Sequence, residues 1–250
     1  MEAYTVLAEL YDELMDNVDY PGRADFLGER LAEQGIKEGI LLDMACGTGT
    51  LTELLAKKGY EMIGTDASAD MLEKALDRRD ASGLDILYLN QDMREIELYG
   101  TVRGVVCVCD SVNYIEDPEE LAAVFKTVRL YLEGDGVFIF DFNTPEKYAA
   151  IGDSVISEVR DNAAFIWENH YDAENRLNEY VITFFLERPD GLYERQEEYH
   201  CQRAYTGDEM EALLKEGGLR VEKRYAGYPN ENDGRMVFVC VPADPERHVY

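Results

Sequence analysis

The stretch Ile40-Leu41-Leu42-Asp43-Met44-Ala45-Cys46-Gly47-Thr48-Gly49 constrains this chain more than any other. A short apolar run ends in an acid, passes into Gly-x-Gly, and leads to a helical pattern over residues 51–58. That is the first half of a strand–helix–strand unit. The alternation continues, with strands predicted at 61–65, 86–89, 104–109 and 137–142 and helices at 70–79 and 118–132. Pro118 stands near a helix start, where its missing donor costs little. Such alternation implies right-handed crossovers and a parallel sheet buried on both faces. Helical patterns over 4–15 and 24–34, broken at Tyr20-Pro21-Gly22, precede it.

The alternation stops after Phe142. Segments 154–159, 164–171, 177–186 and 192–203 are rich in β-branched and aromatic residues and are separated by turn sequences such as Pro189-Asp190-Gly191. Connections that short join antiparallel neighbours. A helix capped at Thr206-Gly207-Asp208-Glu209 then runs to about 216, followed by strands at 219–227 and 236–241 with no helix between them. The expectation is an α/β, Rossmann-like, mostly parallel seven-stranded sheet with an antiparallel last strand. Its core takes residues 1–150 and 204–250, with helices in 1–35 as a cap, and a small antiparallel β lid is inserted at 151–203.

Gly47 and Gly49 let backbone approach a ligand where a Cβ would clash. The helix that follows offers free N–H groups to a carboxylate or phosphate, and Asp43 suits a cationic partner beside the turn. Asp66, after Ile63-Gly64-Thr65, sits where a carboxylate takes two ribose hydroxyls. Asp92, in Asn90-Gln91-Asp92-Met93, can accept from an adenine amine. Together these acids describe one adenosine-bearing ligand along the carboxyl ends of the strands. A nicotinamide dinucleotide is the competing ligand, but the third glycine of its fingerprint is replaced by Thr52, and no Lys or Arg closely follows the turn. The phosphate-loop pattern G-x-x-x-x-G-K-[ST] is absent.

Acidic residues number 52 against 24 Lys and Arg, a formal net charge of −28. Such a surface repels phosphate backbones and anionic lipid, so neither nucleic acid nor membrane is expected as a partner. Five cysteines without C-x-x-C spacing suggest neither a metal site nor a disulfide framework, and free thiols without a leader segment point to the cytoplasm.

The segments 43–49, Asp66, 90–93 and Asp110-Ser111-Val112-Asn113-Tyr114 resemble the successive cofactor motifs of class I S-adenosylmethionine-dependent methyltransferases. Tyr11-Asp12-Glu13-Leu14-Met15, Asp141-Phe142-Asn143-Thr144-Pro145 and the stretch from His200 to Thr206 resemble a bacterial subgroup with a β-sheet lid, similar in design to sugar N,N-dimethyltransferases. The resemblance implies S-adenosylmethionine as cofactor and a small-molecule amine or hydroxyl as acceptor. Asp66 would hold the ribose, Asp92 the adenine amine and the Met93 backbone the ring. Gly47 and Gly49 would line the methionine tail, with Asp43 near its ammonium and Tyr11 closing over the cofactor. Asp110 and His200 would serve the chemistry, and Asn113, Tyr114, Asn143 and Trp167 the acceptor. The signature Asn/Asp-Pro-Pro-Tyr of amino-methylating nucleic-acid enzymes is replaced by Cys109-Asp110-Ser111-Val112, which speaks against an RNA acceptor. A non-catalytic module binding the same cofactor, and pairing of the lid's exposed edge with a second copy, are the alternatives to an enzyme with a lid.

Overall fold

The computed structural model describes residues 18–229 and 234–246. The helix expected at 4–15, Tyr11 and the tail histidine at 248 lie outside the described residues. Helix α1 (Tyr20–Glu33) leads into β1 (Ile40–Met44), α2 (Thr50–Lys57), β2 (Glu61–Asp66), α3 (Ala69–Ser82), β3 (Ile86–Asn90) and β4 (Val102–Cys107). Then come α4 (Pro118–Tyr131), β5 (Leu132–Asn143), α5 (Pro145–Ile151), β6 (Val155–Val159), β7 (Ala163–Asp172), β8 (Leu177–Glu187) and β9 (Tyr193–Arg203). Helix α6 (Gly207–Glu216), β10 (Leu219–Tyr225) and β11 (Arg235–Pro242) close the chain.

Seven strands form one sheet in the order β10-β11-β5-β4-β1-β2-β3. Strands β1 to β5 are parallel, and β11 runs antiparallel to both β5 and β10. The predicted α/β architecture with an antiparallel last strand is the observed one. Alternating residues of β5 divide the core. Phe138, Phe140 and Phe142 pack on the face covered by α4 and α6, while Val137 and Ile139 pack on the face covered by α1 and α2. The Phe138 and Phe140 rings stack at 4.7 Å. Strand β5 starts five residues earlier than its apolar run suggests, because Glu133 to Gly136 hide its polar base from a hydrophobicity reading.

Two helix starts depart from expectation. Tyr20-Pro21-Gly22 opens α1 instead of interrupting a helix: Pro21 occupies the first turn, and the Asp19 carboxylate accepts from the Gly22 N–H at 2.9 Å. Likewise Thr144-Pro145, at the end of the 141–145 stretch, opens a helix that the sequence pattern did not show: it caps α5, with the Thr144 hydroxyl accepting from the Lys147 N–H.

The four remaining strands form a separate antiparallel sheet in sequence order, each within one residue of its expected bounds. One face carries a small core of Ala163, Phe165, Tyr180, Ile182 and Phe184. The C-terminal half of β9 docks on the main sheet. There the buried Asn113 side chain donates to the carbonyls of Asn143 (3.0 Å) and Arg203 (2.7 Å) and accepts from the Asn143 N–H (2.9 Å). One amide thus joins the ends of β5 and β9 to the turn after β4. Among the described residues no helix is long and apolar enough to cross a membrane.

Candidate active site

A cavity of about 340 Å³ opens at the carboxyl ends of β1 to β4, where open α/β sheets bind ligands. Asp43, Asp66 and Asp92 reach it from three successive strands or the turns after them, and Met93 lies between Asp92 and Arg94 on its wall. Three carboxylates on one wall set a negative field that suits a cationic ligand.

Each acid is held differently. Asp43 is buried and accepts from the Thr52 hydroxyl at 2.6 Å. Burial, against that hydrogen bond and with the charge of Asp66 adding, pushes its carboxyl up to about 7. A group so placed gains from a cation at the turn. Asp66 accepts from the N–H groups of Gly47 and Ser68, each at 2.8 Å. A carboxylate has about four lone-pair sites, so two stay open for a pair of ribose hydroxyls. Its carboxyl is nevertheless raised, chiefly by burial. Asp92 is clamped by Arg94, from the backbone N–H (2.9 Å), Nε (2.9 Å) and Nη2 (2.6 Å). These contacts hold its carboxyl below the usual range and leave about one site for an incoming amine.

The two glycines do different work. Gly47 has φ +54°, and a Cβ built there would meet nothing within 4 Å, so the cradle is open on the cavity side. Gly49 was expected to line the ligand, but it is not among the residues that line the cavity. It caps α2 at φ +75°, and a Cβ there would run into the Tyr88 hydroxyl and sit 3.1 Å from Ala75 Cβ. The layer behind the turn is by itself enough to exclude a side chain at this position.

The turn after β4 is strained. Cys109 and Asp110 both adopt positive φ, +60° and +52°, a region costly for residues with a Cβ. Asp141 holds it in place. Its Oδ1 accepts from the Asp110 N–H (2.6 Å) and Arg235 Nη1 (2.9 Å), and its Oδ2 from the Cys109 N–H (3.0 Å) and the Tyr228 hydroxyl (2.7 Å). The cationic Arg235 and Arg23 keep this buried carboxyl below its usual range despite the burial.

The expected catalytic and acceptor residues are distributed differently from the sequence expectation. The Asp110 carboxylate does not line the cavity, whereas its neighbours Cys109 and Ser111 do. It binds Arg235 at 2.8 Å and the Gln202 amide at 2.8 Å, so it ties the turn to the lid strand. Asn113 and Asn143 are buried, and Asn143 Nδ2 meets the Tyr148 hydroxyl at 3.2 Å. Trp167 stacks on Tyr180 at 4.8 Å. Of the four acceptor residues, only Tyr114 lines the cavity. His200 stands behind it, with Nδ1 3.0 Å from the Tyr114 hydroxyl. Sequence reasoning passed over Tyr20, which lines the cavity from the start of α1, and Glu198, whose Oε2 lies 3.4 Å from His200 Nε2. Alternation along β9, which puts residues 198 and 200 on one face, was the signal for the second.

The methyltransferase domain family model matches residues 41–136, which carry β1 to β4 and every described residue of the cavity lining except Tyr20. The YqeM protein of Bacillus subtilis is 32% identical over 94% of this chain and 95% of its own. The chain belongs to the class I S-adenosylmethionine-dependent methyltransferases. A methyltransferase of this kind from Clostridium acetobutylicum superposes with a TM-score of 0.86 at 32% identity, covering 96% of this chain and 98% of that one. A dTDP-3-amino-3,4,6-trideoxy-α-D-glucopyranose N,N-dimethyltransferase of Streptomyces venezuelae is 30% identical over 94% and 98%. Both matches extend over nearly the whole chain, so the inserted antiparallel sheet belongs to the shared design. This family membership sets aside the nicotinamide alternative.

Proposed function

We propose that this methyltransferase transfers a methyl group from S-adenosylmethionine to the amine of a small, soluble acceptor in the cytoplasm. The observation that carries the reading is the course of the cavity. It runs from the three acids to Ser111, Tyr114 and Ile115, where the lid sheet docks. Relatives named for amino-sugar N,N-dimethylation support the amine over a hydroxyl. The strongly acidic surface argues against RNA, and the five unpaired thiols suit a reducing compartment.

The cofactor brings an activated methyl group on a sulfonium, so the protein's share is to bind, orient and exclude water. Asp66 takes the ribose on its open lone pairs, Asp92 with Met93 the adenine, and Asp43 with the Gly47 cradle the methionine end. The inserted sheet backs the acceptor end of the cavity through Tyr180 and His200, which contact the Tyr114 hydroxyl.

Cofactor at a hundred times its dissociation constant should add about 2.7 kcal/mol of stability. For a chain of this length that is a melting shift of roughly 5–10 °C. A shift with NADH and none with S-adenosylmethionine would end the reading. Asp66→Ala should weaken the cofactor at least tenfold in a calorimetric titration, since hydrogen bonds to a charged group are worth roughly 1.5–3 kcal/mol each. Unchanged affinity would reduce Asp66 to a loop anchor for Gly47 and Ser68. For the acceptor, radiolabelled methyl should enter dTDP-3-amino-3,6-dideoxy-α-D-glucopyranose or a small-metabolite extract. Label found in bulk RNA alone would refute a small-molecule acceptor.

A further inference from the structure

Two of the acids on the cavity wall stand on adjacent parallel strands with unequal support. Asp66, on β2, accepts from two backbone N–H groups, those of Gly47 and Ser68. Asp43, on β1, accepts from one neutral donor, the Thr52 hydroxyl at 2.6 Å, and is 1% exposed. Both line the same cavity.

The ionisable groups around Asp43 bring it no positive charge. The Asp66 carboxylate comes from β2, the Cys46 thiol from the turn after β1, the Tyr88 phenol from β3 and the Cys107 thiol from β4. Burial pushes the two thiols and the phenol up, so all three keep their protons at neutral pH. Arg78, on α3, donates from Nε to the Thr48 carbonyl at 3.2 Å, and its Nη1 lies 3.6 Å from the Glu53 carboxylate. Among the described residues the charge that acts on Asp43 is the negative one of Asp66. A buried carboxylate without a cation or several donors is costly, and such a group neutralises instead. Of two neighbouring carboxyls, the one with more donors keeps the charge and the other keeps a proton.

We infer that Asp43 holds a proton in the cofactor-free protein and releases it to solvent as the cofactor's ammonium group arrives, so that cofactor binding is coupled to proton release. The inference rests on the reading above that places the methionine end of the cofactor at Asp43 and Gly47. The O–H bond of the carboxyl breaks with its electron pair staying on oxygen, the proton leaves to water, and the carboxylate left behind faces the ammonium. One positive charge takes the place of another at the turn. Burial, opposed by the Thr52 hydrogen bond, brings the free carboxyl to about 7, and an adjacent ammonium lowers it. Below that value a proton must be displaced for the cofactor to bind; above it none is present. Affinity should therefore rise roughly tenfold from pH 6 to pH 8 and then level off.

The test is calorimetric titration of S-adenosylhomocysteine, which keeps the ammonium, ribose and adenine and has no methyl group to transfer. Repeating it in buffers of different ionisation heat counts the protons exchanged. The parent should release close to one proton from Asp43 at pH 6, about half at pH 7 and almost none at pH 8.5. These figures are differences from Asp43→Asn, in which protons exchanged by the ligand amine or by Asp66 remain and cancel. Thr52→Val removes the donor that holds the Asp43 carboxyl down, so its release should persist to higher pH than in the parent. Equal proton counts for the parent and Asp43→Asn at pH 6 and 7 would overturn the inference, as would a Thr52→Val profile that coincides with the parent's. Affinity at pH 8.5 separates this failure from failure of the placement. There Asp43→Asn should bind at least tenfold more weakly than the parent. A weakened Asp43→Asn with unchanged proton counts would refute the coupling and leave the ammonium at Asp43. An Asp43→Asn variant that binds as tightly as the parent would remove the placement and the inference together.

Discussion

Gly49→Val is expected to lower the melting temperature by roughly 10 °C or more. Two penalties add. The position has φ +75°, where a residue with a Cβ costs roughly 1–2 kcal/mol and a β-branched one more. The new Cβ also runs into the Tyr88 hydroxyl with Ala75 Cβ only 3.1 Å away, and overpacking of this kind costs roughly 1–3 kcal/mol. The two parts can be separated. Tyr88→Phe removes the atom that the new side chain meets first, so Gly49→Val in that background should recover part of the loss and keep the backbone share. Gly47→Ala supplies the contrast. It bears the positive-φ cost, but its methyl enters open space, so it should be the milder change in stability and the one felt in cofactor affinity. Equal melting temperatures for Gly49→Val and the parent would mean that the turn relaxes freely and that the packing behind it is slack.

Asp141→Ala should cost roughly 3–5 kcal/mol, the range found when one partner of a buried ion pair is removed. All four lone-pair sites of Asp141 are used, by two backbone N–H groups, Arg235 and Tyr228. Removal leaves two partly buried N–H groups without their acceptor at a turn that is already strained, and removes the counter-charge shared by Arg23 and Arg235. The effect has a pH signature. The folded carboxyl is held below its usual range, while the unfolded one titrates near an ordinary aspartate value of about 3.9. Its stabilisation is therefore fully present above about pH 4 and is lost as pH falls through the folded value. Melting curves of the parent and Asp141→Ala should be far apart at pH 7 and should converge in acid. Asp141→Asn, which keeps the shape and loses the charge, should fall between the two at neutral pH. A gap that stays constant down to pH 2 would show that the charge of Asp141 does not hold the turn.

Both effects lie in a layer that the local sequence does not announce. The alternation of apolar runs and helical patterns from Ile40 to Phe142 was sufficient for the parallel sheet, because each strand and helix is specified by the spacing of its own side chains. The four lid strands were legible for the same reason, and their turn sequences placed their ends within one residue. Asp43, Gly47, Asp66, Asp92 and Met93 could be gathered into one cavity because a parallel sheet puts every strand's carboxyl end on the same edge. Local chemistry misled where one residue type has two uses. Pro21 reads as a break yet begins α1, just as Pro145 begins α5, since a proline in the first turn gives up a donor that the helix does not need.

What the tertiary structure alone decided is which way the polar side chains face. Asp110 turns to Arg235, 125 residues away, because a positive φ at two successive positions takes its carboxylate off the cavity wall. Asn113 spends its amide on Asn143 and Arg203, 90 residues on. Gly49 answers to a tyrosine on β3, and His200 contacts the cavity-lining Tyr114, 86 residues before it. Such contacts have no period along the chain. They depend on which elements the fold sets side by side, and a buried donor or acceptor takes whatever partner that arrangement provides.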